Sequence, residues 1–262
     1  MKARTRGVIK KDNHSMAERT SQPPPHAIYG VNAVREVIIV RPVEYVLVAD
    51  GQRNPRVQEI IDSCRARGVP LRFAPSRSLE RLAGSPHHQS VVAICPAKAY
   101  DDLETLLQAD ARPLLVALDG VEDPGNLGAI VRTAVAAGAH GLIIPERRAA
   151  GLSPGVARAS AGALEHIRIA RVKNLVRALV ELKDNDFWVY GFETSGAKSY
   201  LELDYAGACV LVMGGEGKGL HRLVREACDE TARIPIVGPV ESLNVSAAAA
   251  VVLYEALRQR RK

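Results

Sequence analysis

The stretch IPIVGPVESLNVSAAAAVVLYEAL, residues 234–257, decides how the chain is read. It predicts a short apolar strand from Ile234, a Gly238-Pro239 turn, the polar quartet Glu241-Ser242-Leu243-Asn244, and an Ala-rich helix over 244–258. A helix start needs one capping side chain. Here Ser242, Asn244 and Ser246 crowd that first turn, which is more hydroxyl and amide chemistry than a cap requires. Residues 114–137 and 210–227 repeat the plan of strand, polar glycine-rich turn and helix. Three such turns predict one composite site.

The first of these blocks contains LDGVEDPGNLGAIVRTA, residues 118–134. Leu127, Ile130, Val131 and Ala134 recur at i, i+3, i+4 and i+7, one apolar helix face. Arg132 lies about 140° round from Leu127 at ~100° per residue and projects from that face. Asn126 stands where an N-cap belongs. On spacing alone Asn126 serves equally as a plain cap, and Arg132 as a solvated surface arginine. The second block, VLVMGGEGKGL over 210–220, has four glycines in six residues after a strand, which allows close backbone approach. It is not a P-loop, because Val212 stands where the first Gly is required and Gly219 where Ser or Thr must follow Lys218. It also misses the dinucleotide fingerprint, which needs Gly or Ala at Leu220. This counts against a nucleotide-dependent oxidoreductase.

The 262 residues accommodate one large or two ordinary domains, and a 47% apolar content excludes wholesale disorder. No apolar run reaches the ~20 residues of a membrane span, and the N-terminus lacks the apolar core of a secretory signal. Cys64, Cys95, Cys209 and Cys228 have no zinc-type or disulfide-framework spacing, so a reduced, cytoplasmic chain is expected. Of the net charge of +6, residues 1–25 carry +4 and residues 258–262 another +4, leaving the body at −2. Basic ends on a near-neutral body suit a polyanion, and equally suit solubilising tails. Residues 1–25 end in Pro23-Pro24-Pro25 and predict a disordered basic arm. From 26 to 96 the pattern predicts a small α/β domain, with helices at 31–39, 55–67 and 76–82 and strands at 44–49, 69–73 and 90–95. A linker over 97–112 carries a short acidic helical piece. Beyond it, over 113–262, strands at 114–118, 141–144, 187–191 and 210–213 read as a parallel sheet covered on both faces. Helices are expected there at 127–137, 154–161, 174–182, 220–227 and 244–258.

Taken together, NLGAIVRTA, MGGEGKGL and IPIVGPVESLNVSAAAAVVLYEA resemble the three signature motifs of the SpoU family of RNA ribose 2′-O-methyltransferases, in the SPOUT class. The segments Ile28-Tyr29-Gly30-Val31-Asn32-Ala33-Val34 and His88-Gln89-Ser90-Val91-Val92-Ala93 resemble that family's substrate-binding domain. The resemblance spans about 26–260 and is to the bacterial large-subunit rRNA guanosine 2′-O-methyltransferase branch. It implies an α/β fold with a deep trefoil knot in the C-terminal domain, which general folding rules alone would not predict. It implies S-adenosylmethionine as cofactor, held by Gly214, Gly215, Gly217, Ile234, Ile236 and Leu243. It implies Arg132, Asn126, Glu216, Ser242 and Asn244 as catalytic residues, Arg132 gripping phosphate and ribose oxygen. An arginine remains protonated, so it is a poor base. The partners implied are RNA, with rRNA favoured over tRNA, and a second copy of the chain packed through the C-terminal domain with the final helix at the interface. No metal and no membrane are implied. At 4% aromatic content, recognition is expected to rest on RNA shape and phosphates more than on base stacking. A non-catalytic RNA-binding relative is the competing reading, which the pairing of Asn126 with Arg132 opposes.

Overall fold

The computed structural model describes residues 26–215 and 219–261. The arm 1–25 and two expected site residues, Glu216 and Gly217, lie outside the described residues.

Two sheets organise the chain. The first has strands β1 (His26–Tyr29), β2 (Tyr45–Ala49), β3 (Leu71–Ala74) and β4 (Val91–Cys95), in the order β1-β4-β2-β3. β4 runs antiparallel to β1 and β2, while β2 and β3 are parallel. Helices α1 (Val31–Val40) and α2 (Pro55–Arg67) cover one face through Val34, Val37, Ile60 and Ile61. Helix α3 (Ser76–Ala83) covers the other, setting Leu79 among Tyr29, Leu47 and Val92. Local chemistry fixes α2 at both ends. Asn54 accepts the Arg56 amide at 3.0 Å, Pro55 presets the first helical φ, and Gly68 takes the left-handed φ of 68° that ends the helix.

The connector docks on the second sheet. The Asp101 carboxylate accepts the Ile169 amide at 2.8 Å, and α4 (Leu103–Leu107) buries Leu106 over Gly141, where a Cβ would collide with the leucine.

The second sheet has seven strands: β5 (Leu114–Asp119), β6 (Gly141–Pro145), β7 (Arg168–Val172), β8 (Trp188–Phe192), β9 (Lys198–Ser199), β10 (Cys209–Gly214) and β11 (Glu230–Arg233). Their order is β7-β6-β5-β10-β8-β11-β9, and every neighbouring pair is parallel. Helices α5 (Pro124–Ala136), α6 (Pro154–Ala159) and α9 (Val245–Arg260) pack on one face, through Leu127, Ile130, Val156, Ala249 and Val252. Helices α4, α7 (Leu175–Asp184) and α8 (Arg222–Ala227) cover the other, through Leu106, Leu179, Leu182 and Val224. This is the doubly covered α/β sheet that the continuous apolar runs predict. Among the described residues no helix is long and apolar enough to cross a membrane.

The structure corrects three local readings. Ile234 to Val237 is not a strand; β11 ends at Arg233, because Pro235 has no N–H for a ladder. The short, polar strands β7, β9 and β11 escape an apolar-run reading. The basic C-terminus is only partly a free tail. The guanidinium of Arg258 forks onto the buried Glu255 carboxylate at 2.7 and 2.8 Å. Arg260 donates to the carbonyls of Tyr205 (2.8 Å), Arg112 (2.6 Å) and Pro113 (3.3 Å), tying the end of α9 to the starts of β5 and β10.

The two halves meet through polar contacts as well as a shared apolar cluster. Arg41 Nε lies 2.8 Å from Glu165 Oε2, and His166 Nε2 lies 2.9 Å from Glu36 Oε2.

Candidate active site

In the second sheet the strand order reverses between β5 and β10. Sequential strands run from β5 outward to β7 on one side, and β10, β8 and β11 lie on the other. Ligands of open parallel sheets bind outside the carboxyl ends of the strands at such a switch point. Two adjoining cavities open there.

The first, about 320 Å³, has Met213, Gly214 and Gly215 at the end of β10 as one wall. The loop after β8, Glu193 to Ser195, forms a second, and Ile234, Ile236, Glu241, Ser242 and Leu243 form the third, closed behind by Val245 and Ala248 of α9. The described cofactor candidates, Gly214, Gly215, Ile234, Ile236 and Leu243, therefore share one cavity, together with Ser242. The loop 193–195 was not foreseen, although Thr194-Ser195-Gly196 after an apolar strand repeats the same strand-and-turn signal. Glu193 is neutralised by Arg225, 2.8 Å away.

The glycines fit the site by a different route from the expected one. A Cβ on Gly214 would strike the Gly219 backbone, and one on Gly215 the Gly120 carbonyl. Their bareness first lets the loops after β10 and β5 pack backbone to backbone, which shapes the cavity wall.

The second cavity, about 540 Å³, shares Gly215, Gly219 and Val245 with the first. Asp119, Gly120, Glu122, Asn126, Arg148 and His221 also line it. Asp119 is buried and receives two bonds from one residue: the His221 amide donates to Oδ2 at 2.7 Å, and imidazole Nδ1 lies 2.9 Å from Oδ1. An Arg148 guanidinium nitrogen approaches His221 Nε2 at 3.3 Å. The sequence reading missed this set because Asp119, Arg148 and His221 are far apart in the chain.

Asn126 is not the helix cap. Asp123 caps α5, accepting the Asn126 amide at 2.8 Å, and Pro124 takes the first helical position, which moves Asn126 into the first turn. Its side-chain Oδ1 accepts from Asn244 Nδ2 at 3.0 Å. Asn244 caps α9, its Oδ1 accepting the Ser246 amide at 2.9 Å and the Ala247 amide at 3.4 Å. Ser246 belongs to this cap, its hydroxyl 2.6 Å from the same oxygen. The first and third blocks are thus joined by one amide pair. Arg132 stands apart: it is exposed on α5 and lines neither cavity.

Residues 113–254 match the SpoU rRNA Methylase family, and residues 27–101 match the RNA 2′-O ribose methyltransferase substrate-binding family. A 23S rRNA (guanosine-2′-O-)-methyltransferase, RlmB, of Xylella fastidiosa is 43% identical over 239 residues, covering 89% of this chain and 96% of that protein. A Staphylococcus aureus relative, named at the level of the TrmH family of tRNA/rRNA methyltransferases, is 42% identical over 238 residues, with the same coverage. The crystal structure of the SpoU methyltransferase AviRb from Streptomyces viridochromogenes, in complex with AdoMet, superposes with a TM-score of 0.77 at 27% identity over 91% of each chain. An AdoMet-bound rRNA methyltransferase from Sinorhizobium meliloti gives 0.75 at 29% identity, over 90% of this chain and 87% of the other.

Proposed function

The chain belongs to the SpoU rRNA methylase family and is an S-adenosylmethionine-dependent RNA ribose 2′-O-methyltransferase; on that premise we propose that it methylates a guanosine of structured large-subunit rRNA. The observation that carries this reading is the pair of adjoining cavities at the β5/β10 switch point. One is built from the second and third blocks, the other holds Asn126, and the Asn126–Asn244 pair links them.

The first cavity fits S-adenosylmethionine chemically. Its glycine backbone and the apolar faces of Ile234, Ile236 and Leu243 suit an adenosine, and the carboxylate of Glu241 suits the positive charge of the sulfonium or amine. The bound cofactor supplies an electrophilic methyl on sulfur. The protein must bring a ribose 2′-oxygen in line with that methyl and stabilise the oxygen as its proton leaves. Asn126, Asn244 and Ser242 supply amide and hydroxyl groups for this orientation, with Glu216 assigned beside them by its motif position. Arg132 lies outside both cavities, so we assign it to an RNA phosphate crossing α5. Its permanent charge suits a phosphate and disqualifies it as a base.

We further propose an arm (1–25), a substrate-binding domain (26–96), a linker (97–112) and a knotted catalytic domain (113–262). The catalytic domain would pair with a second copy through α9, and the enzyme would work in the cytoplasm. Ala247 and Tyr254 are exposed on α9, with half-buried Val251 between them, a stripe that suits such pairing. tRNA is the second reading for the substrate, favoured by the wording of the S. aureus relative's name. Ribose-methylation mapping of rRNA and tRNA from a deletion strain tests the proposal. One 23S 2′-O-methyl should disappear and return with the wild-type gene but not with Arg132→Ala. A lost mark in tRNA alone would overturn the rRNA assignment.

A further inference from the structure

Arg148 and Glu122 line the second cavity as opposite charges, neither of them in an ion pair among the described residues. Arg148 adopts a φ of +57°, a left-handed conformation that residues with side chains seldom take and that gathers at functional sites. Among the described residues its guanidinium meets only His221 Nε2, at 3.3 Å, and no carboxylate within ion-pair distance. His221 is itself fixed. Its amide and Nδ1 both lie on the buried Asp119 carboxylate, which fixes the ring with Nε2 turned toward the arginine. The chain from Asp119 through His221 therefore positions Arg148, whose charge meets no carboxylate among the described residues. Glu122 makes no hydrogen bond or ion pair among the described residues.

We propose that this cavity seats the base of the acceptor nucleotide and reads it as guanine, Arg148 meeting the N7/O6 edge and Glu122 the N1–H/N2–H edge. The proposal rests on the methyltransfer reading above and deepens it. A ligand for this cavity must present acceptors to a guanidinium and donors to a carboxylate. Guanine does both, and arginine forked onto O6 and N7 is the commonest specific contact to that base. Adenine would turn its N6 amino group toward Arg148 and offers Glu122 no N1–H. A phosphate would bring negative charge beside Glu122 and Asp123, which line the same space. The shared wall of Gly215, Gly219 and Val245 places the seat next to the cofactor cavity, so a seated base leaves its ribose at the junction.

The test uses the full chain and unmodified 23S rRNA transcripts made with either guanosine or 7-deazaguanosine, which keeps the pairing edge and lacks N7. Transfer of tritiated methyl from S-adenosylmethionine is followed, with cofactor binding by calorimetry as the check on folding. The wild type should lose about tenfold in rate on the deaza transcript, the scale of one bidentate base contact. Arg148→Ala should be slow on both transcripts, with no further loss on the second. Arg148→Lys should behave likewise, since an ammonium cannot fork. Glu122→Gln should slow transfer on both. An equal deaza penalty in wild type and Arg148→Ala, or faster transfer by Glu122→Gln, would overturn the guanine seat; the latter would point to a phosphate. No transfer by the wild type to the ordinary transcript would instead sink the reading on which the proposal rests.

Discussion

Asn244 does two things that substitution can separate. Its Oδ1 caps α9 on the amides of Ser246 and Ala247, and its Nδ2 holds Asn126 at 3.0 Å. Asn244→Ala removes both. Loss of an N-cap costs about 1 kcal/mol, and the exposed amide pair adds roughly 0.5–1 kcal/mol. At about 2–4 °C per kcal/mol for a chain of this size, the melting temperature should fall by about 4–7 °C. Asn244→Ser keeps a capping hydroxyl and loses only the link, so its fall should be about half as large. Both variants should lose methyl-transfer rate to the same degree, because neither side chain reaches Asn126. Thermal melts and steady-state kinetics on the two proteins read these effects independently. If serine destabilises as much as alanine, the capping account fails. If the serine variant is fully active, the amide pair does not position the reacting ribose.

Gly214→Ala must displace the Gly219 backbone, at a cost of about 1–3 kcal/mol for overpacking; calorimetry should show about tenfold weaker S-adenosylmethionine binding, and unchanged affinity would contradict the packed-loop account. Arg260→Ala removes charge-assisted bonds to four carbonyls, those of Tyr205, Arg112, Pro113 and Gly207, and should cost about 2–4 kcal/mol in urea unfolding; a loss below about 0.5 kcal/mol would show that the end of α9 is not anchored there. Glu36 has its pKa held below the ordinary 4.5, first by its bond to His166. Its contribution is therefore complete above that value and lost as pH falls below it, so Glu36→Gln should flatten the acid limb of the stability profile, and an unchanged limb would contradict this. Cofactor at a hundred times its Kd should stabilise the chain by about 2.7 kcal/mol, with the strongest hydrogen-exchange protection in 234–244; uniform protection would place the cofactor elsewhere.

The parts legible in the sequence were those in which local chemistry decides. Asn54-Pro55 and Gly68 mark both ends of α2, and the apolar runs of β5 and β10 announce a covered parallel sheet. The second and third motifs marked the wall of the first cavity, because each motif is a contiguous turn. What escaped depends on long-range pairing. β11 (Glu-Thr-Ala-Arg) buries Ala232 but reads as a polar turn, since the order β8-β11-β9 that protects it is not a local property. Asp119, Arg148 and His221 converge only once β5, the loop after β6 and the turn before α8 are brought to one end of the sheet. Asn126 was misplaced by one helical turn because Asp123 competed for the same cap and Pro124 settled the contest.

The segment 234–244 carries the deeper constraint. It has no ladder bonds, it leaves Val237 99% exposed, and Val240 and Leu243 are also uncovered. Backbone pairing cannot hold such a segment, so apolar cover must. Its inner side faces the first cavity, proposed above for the cofactor, through Ile234, Ile236 and Leu243, and its end passes into the Ala247–Tyr254 stripe of α9. Cofactor binding from within and a second copy from without would therefore act on the same residues, and two ligands that order one segment favour each other's binding. Arg132 is exposed on α5, the helix against which α9 packs. A single chain leaves Val237 and Val240 uncovered and Arg132 outside the cavity. The proposed homodimer would cover the exposed residues of this segment, and the RNA phosphate proposed above would meet Arg132.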